Sequence, residues 1–145
     1  MVITAATTEG NANICDDIKN REDRTYIKCI TSVASSKADH SVCAKLEEPG
    51  TNIHQDEIDE CYYLVGYYHY KASACSSVKK EEIKNKCLLK VAEHNADTDI
   101  CDERMQTTEL KDKCYMQIAF SQDHDRYCSE IQDSNVKSEC KKHFE

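Results

Sequence analysis

The residues with chemistry to offer in this 145-residue chain are its ten cysteines, at positions 15, 29, 43, 61, 75, 87, 101, 114, 128 and 140. A thiol can be oxidised to a disulfide, ligate a soft metal as its thiolate, or act as a nucleophile. Spacing discriminates among these uses. The steps run 14, 14, 18, 14, 12, 14, 13, 14 and 12, so no CxxC or CxxxC places two sulfurs on one helical turn. Any metal site would have to collect sulfurs from different helices. C-x-x-C-H, the signature of covalent haem attachment, is absent as well.

The intervals 29→43, 61→75, 87→101 and 114→128 are all 14 residues, whereas the others vary. Two classes of cysteine therefore alternate: Cys15, Cys43, Cys75, Cys101 and Cys128, then Cys29, Cys61, Cys87, Cys114 and Cys140. Four residues after a second-class cysteine stands Val33, Val65, Val91 or Ile118, followed at once by Ala34, Gly66, Ala92 or Ala119. The shared pattern is C-x3-[VI]-[AG]-x8-C. Three residues after a first-class cysteine stands Ile18, Leu46, Val78 or Ile131, with Met105 one position late. A unit recurring at this period is the mark of a helical array.

The elements that must carry these positions are helices. Ile83, Cys87 and Val91 are spaced i, i+4, i+8, and so are Leu110, Cys114 and Ile118, one stripe with cysteine at its centre. Leu88 with Ala92, and Tyr115 with Ala119, widen it to a core-facing side. Asp39, Asp97, Asp123 and Asp125 precede first-class cysteines as N-cap candidates, and Asp133-Ser134 and Thr107-Thr108 are start signals inside hairpins. Pro49-Gly50 marks a longer loop in the 18-residue interval. The fold class is all-α: tandem antiparallel helix hairpins stapled by disulfides in a solenoid-like array. A flexible lead-in over residues 1–11 precedes one domain of five repeats, approximately 12–37, 38–70, 71–95, 96–121 and 122–143.

In a hairpin, two cysteines at similar heights from the turn can bridge, which gives in-order pairing: Cys15–Cys29, Cys43–Cys61, Cys75–Cys87, Cys101–Cys114 and Cys128–Cys140. The rival pairs across the constant interval and leaves Cys15 and Cys140 to join molecules head to tail. Its attraction is that a fixed spacing suggests a fixed crosslink. Closing a loop of this size contributes about 3 kcal/mol. A second alternative keeps the thiols reduced, as a copper or zinc binding or storage protein.

Smaller candidates stand beside the sulfurs. Asp123-His124-Asp125 is the best local group for a divalent metal, against the plainer reading as caps and solvated side chains. Tyr62, Tyr63, Tyr67, Tyr68 and Tyr70 cluster, and not all five can be core; an exposed subset suits a partner surface. There is no G-x-S-x-G, H-E-x-x-H, glycine-rich phosphate loop or EF-hand. No catalytic residue or cofactor is expected, and the chain reads as a non-enzyme.

Bulk composition fits this picture. Leu, Ile, Val and Phe supply only 25 residues, about 17%, a share at which chains without crosslinks stay disordered. Acidic residues outnumber basic ones 27 to 19, for a net charge of −8, which disfavours nucleic acid as a partner. No apolar run is long enough to span a membrane. The first ten residues lack the basic and apolar regions of a signal peptide, so export implies that a signal has been removed and leaves open whether Met1 is native. Cysteine-stapled hairpins in tandem resemble, in architecture alone, the secreted Sel1-like, cysteine-rich repeat proteins of bacteria; the longer Gly- and Ala-marked repeats of that family are not matched, and no functional residue carries over. The expectation is an extracellular or cell-surface binding scaffold, or a subunit of an extracellular assembly such as a filament, acting on a protein partner or on itself.

Overall fold

The computed structural model describes residues 2–18 and 23–145. The question of Met1 falls on residue 1, outside the described residues. The protein is all-helical, 77% helix, with no strand among the described residues. Its α-helices are α1 (Val2–Glu9), α2 (Arg24–Lys37), α3 (Gln55–His69), α4 (Ala72–Ser76), α5 (Glu81–Asn95), α6 (Thr108–Gln122) and α7 (Ser134–Lys142). Short 3₁₀ segments occupy Ala12–Asp17, His40–Glu47 and Asp125–Glu130, and a π turn occupies Ile100–Arg104. Short segments, α4 included, thus alternate with the longer helices, and every first-class cysteine lies on a short one.

The chain forms two compact units, Met1–Lys84 and Asn85–Glu145, divided within α5. In the first, Tyr26, Ile30, Val33, Leu46, Val65 and Val78 build the core, with Ala6 of α1 among them. In the second, Leu88, Val91, Met105, Ile118 and Ile131 are buried. Residues 2–9, expected as part of a flexible lead-in, are therefore helical, and Ala6 is fully buried.

Local chemistry sets where the helices begin. Side chains of Asp23, Thr107 and Asp133 accept backbone N–H bonds from the first turns of α2, α6 and α7, satisfying donors that a helix leaves open. The Thr107 and Asp133 caps are the start signals read from the sequence.

The ends follow one rule. Gly10, Ala38, Tyr70, Ala96 and Asp123 all adopt left-handed backbone, with φ between 51° and 62°. The next residue in each case donates its N–H to the carbonyl five residues back: Asn11 to Ala6, Asp39 to Ala34, Lys71 to Gly66, Asp97 to Ala92 and His124 to Ala119, at 2.9–3.0 Å. This is the Schellman end. Ala34, Gly66, Ala92 and Ala119 are the small residues of the sequence pattern, all buried.

The apolar offset has a geometric cause as well. In a 3₁₀ segment three residues complete a turn, so Leu46 and Ile131, three after Cys43 and Cys128, return to the cysteine's side and are buried. The π turn after Cys101 is wider by about one residue. Met105 is buried there one position late.

Candidate functional site

The sulfurs come first, because they set everything else. Cys15–Cys29, Cys43–Cys61, Cys101–Cys114 and Cys128–Cys140 are bonded, with Cα separations of 5.5–5.8 Å. Cys75 and Cys87 are disulfide-bonded too, and no cysteine is free. Each of these four bonds joins a short segment to the longer helix that follows. Pairing across the constant interval does not occur, and that interval has a different origin. Nine residues separate a second-class cysteine from the left-handed residue ending its helix, and five more lead to the next cysteine. The fixed 14 is the length of a capped helix end, not of a crosslink.

The thiolate reading is overturned by the same bonds, since a disulfide sulfur is no longer a thiolate ligand. Among the described residues no group of three His, Cys, Asp or Glu side chains converges to hold a metal ion. Asp123, His124 and Asp125 serve a turn instead. Asp123 is the left-handed residue closing α6, not an N-cap. His124 caps the following segment, its Nδ1 accepting the N–H of Arg126 at 3.1 Å. Asn11, Asp39 and Asp97 hold equivalent places, each four residues ahead of a cysteine and each accepting the N–H two residues on. The Ser41 hydroxyl, 2.6 Å from Oδ1 of Asp39, holds that carboxyl below the ordinary carboxylate value.

Two buried carboxylates have no counterpart in the sequence reading. Asp59, 1% exposed, accepts the backbone N–H groups of Lys79 and Lys80 at 2.9 and 3.1 Å, and the Gln55 amide at 3.0 Å. Asp112, 3% exposed, accepts those of Gln132 and Asp133 at 2.8 and 3.0 Å. Each stands two residues before a second-class cysteine and reaches 20 and 21 residues ahead, to the turn that starts the next long helix or lies just before it. A buried carboxylate is tolerable only with such donors, and here the donors are backbone groups that would otherwise be orphaned.

The tyrosines divide by depth. Tyr62 is buried; burial first, and then its bond to Glu47, pushes its phenol above the ordinary value. Tyr115 is raised in the same way, by burial and by the 2.7 Å bond it donates to Asp102. Tyr63, Tyr67 and Tyr70 are half-buried, with the rings of Tyr63 and Tyr67 stacked at 5.0 Å. Tyr68 is 62% exposed, and its ring meets Tyr67 edge-on at 5.1 Å. Tyr70 closes α3 in left-handed backbone. Of the five, Tyr68 offers the most open surface and Tyr62 the least.

A groove of about 600 Å³ lies in the first unit, between α2 and α3. Arg24, Lys28 and a run of hydroxyls line it from α2; Glu57, Glu60 and Leu64 line it from α3. The second unit carries a smaller polar hollow of about 450 Å³ around Asp102, Tyr115, Arg126 and Tyr127. Its side chains are engaged with one another: the guanidinium of Arg126 donates to the Tyr127 hydroxyl at 2.6 Å while Tyr115 holds Asp102.

Fold and bonds together define a class in physical terms, a small helical protein held by five disulfides. Comparison with protein-family models, curated proteins and solved structures gives no match. No helix among the described residues is long and apolar enough to cross a membrane.

Proposed function

We propose that the protein is exported and acts outside the cell or at its surface, as a non-enzymatic binding scaffold or as a subunit of an extracellular assembly, filaments included. One observation carries this: all ten cysteines are disulfide-bonded, and such bonds form and persist in oxidising compartments. In this reading the five hairpins stack in tandem, and their continuous faces do the binding. A net charge of −8 favours a protein partner, or a second copy of the chain, over nucleic acid. Exposed Tyr68 on α3 supplies contact area with a polar tip.

The test is to alkylate free thiols in intact source cultures, fractionate, and read the protein's mass. Recovery from the medium or the cell surface with no cysteine alkylated is the expected result. Reduced protein in the cytosol would overturn the proposal.

A further inference from the structure

The groove between α2 and α3 has two walls of opposite charge. Arg24 and Lys28 line it from α2, and Glu57 and Glu60 line it from α3. Among the described residues none of these four side chains has an ion-pair partner within 4.0 Å. The charges flank the groove without neutralising one another. Beyond its two bases the α2 wall continues with hydroxyls. Those of Thr31, Ser32 and Ser35 have no hydrogen-bond partner among the described residues, whereas Ser36 donates to the Val33 carbonyl at 3.0 Å. Two bases against two acids give the groove no net charge, so a plain anion or a plain cation gains from one wall what it loses to the other. The occupant that gains from both carries a negative group on one side and a positive group on the other.

Size decides what form that occupant takes. The lining residues of α2 run from Arg24 to Ser36, about 18 Å at 1.5 Å per residue. A volume of about 600 Å³ over that length leaves a cross-section of about 30 Å². An α-helix with its side chains needs about 80 Å² or more, whereas an extended chain takes about 45 Å² in a packed sheet, and less for the part sunk into an open groove. We infer that the groove seats an extended peptide segment of a protein partner in which acidic and basic residues alternate. Successive side chains of an extended chain point to opposite sides, so alternation sends every carboxylate to one wall and every ammonium to the other. The repeat fits as well: Arg24 and Lys28 stand about 6 Å apart along α2, and alternate residues of a strand about 6.7 Å apart. The open hydroxyls of α2 offer donors and acceptors to the segment's peptide groups, which an extended chain leaves unpaired. The inference rests on the binding-scaffold reading above and deepens it by naming what the scaffold binds.

Two blocked tetrapeptides of one composition test it: acetyl-Glu-Lys-Glu-Lys-amide, which sorts its charges to opposite sides, and acetyl-Glu-Glu-Lys-Lys-amide, which mixes them on both. Each is titrated into the whole, disulfide-intact protein, labelled with ¹⁵N and followed by its amide chemical shifts. The alternating peptide shifts amides of α2 and α3 around the groove, binds about tenfold or more tighter than the mixed one, and weakens with salt. The double variant Arg24→Glu with Lys28→Glu loses that preference, as does Glu57→Lys with Glu60→Lys. The fourfold variant carrying both reversals regains it, because an extended peptide can turn over about its axis and present its acids to the other wall. A misfolded protein could not regain binding, so the fourfold variant separates a lost site from a lost fold. Equal affinity for the two peptides overturns the inference, as do shifts confined to residues away from the groove, or a fourfold variant that stays silent. So does the absence of any shift up to millimolar peptide, whether a second copy of the chain fills the groove instead or nothing does. A protein that ignores both peptides but is found outside the cell with all thiols bonded would lose this site and keep the exported scaffold. One recovered reduced from the cytosol whose groove still binds the alternating peptide would do the opposite.

Discussion

Asp112 shows how much of the fold rests on single side chains outside the cysteine pattern. Its two oxygens hold the N–H groups of Gln132 and Asp133, 20 and 21 residues downstream, from a position 3% exposed. Replacing it with Ala leaves two donors without their acceptor, and we expect a loss of about 3 kcal/mol in urea unfolding of the disulfide-intact protein. Asp125→Asn, at an exposed carboxylate, should stay within about 0.5 kcal/mol of the wild type. Equal effects from the two substitutions would contradict the clamp. The clamp was not legible in the sequence, for a physical reason. The position two before a second-class cysteine holds Ile27, Asp59, Asn85, Asp112 and Ser138, so only two of five sites carry the carboxylate. In a chain with 27 acidic residues, two more aspartates on helices draw no notice. The capping residues were easier to read: Asp39 and Asp97 stand where a cap is needed. At Cys128 the cap is His124 rather than a neighbouring aspartate, because Asp123 is taken by the helix end.

At the scale of elements, the helix ends carry the information. The interval C-x3-[VI]-[AG]-x8-C was readable because one geometry fixes it: a buried apolar turn, a small residue whose carbonyl accepts the Schellman bond, a left-handed residue, then five residues to the next sulfur. What could not be read was the left-handed position itself, since it is filled by Ala38, Tyr70, Ala96 and Asp123, with no one residue type common to all four. Glycine, which marks such positions elsewhere, fills only the equivalent place at Gly10. Left-handed backbone strains an L-residue by about 1–2 kcal/mol, and Gly offsets part of that relief through its freer unfolded chain. Ala38→Gly and Ala96→Gly should therefore each raise stability by about 0.5–1 kcal/mol, against the usual cost of glycine in a helix. Thermal unfolding of the two variants checks this; a fall in midpoint at both sites would mean that the backbone there is not left-handed. The segment types were hidden too. Met105, one residue late in the pattern, is the trace that the π turn leaves in the sequence.

For the whole molecule, the scarcity of aliphatic residues and the abundance of cysteine are one fact. Each unit buries a modest apolar set, and disulfides closing short loops contribute about 3 kcal/mol apiece by restricting the unfolded chain. Composition announced the crosslinks and spacing announced the helices, because both are local properties of the chain. The groove between α2 and α3 was not foreseeable: Arg24 and Glu57 lie 33 residues apart and become neighbours of one cleft only once α2 and α3 pack together. The tyrosine cluster was visible as a run, but its division into a buried Tyr62 and an exposed Tyr68 depends on which side of α3 meets the core. The central claim is that each short segment is covalently bonded to the longer helix after it, and that the constant spacing reflects helix ends. Proteolysis of the native protein without reductant, followed by mass spectrometry of the linked peptides, tests this most directly. The account predicts each cysteine joined to its partner in order of sequence, beginning with Cys15–Cys29 and ending with Cys128–Cys140. Peptides linking Cys29 to Cys43 or Cys114 to Cys128, or peptides carrying free thiols, would contradict it.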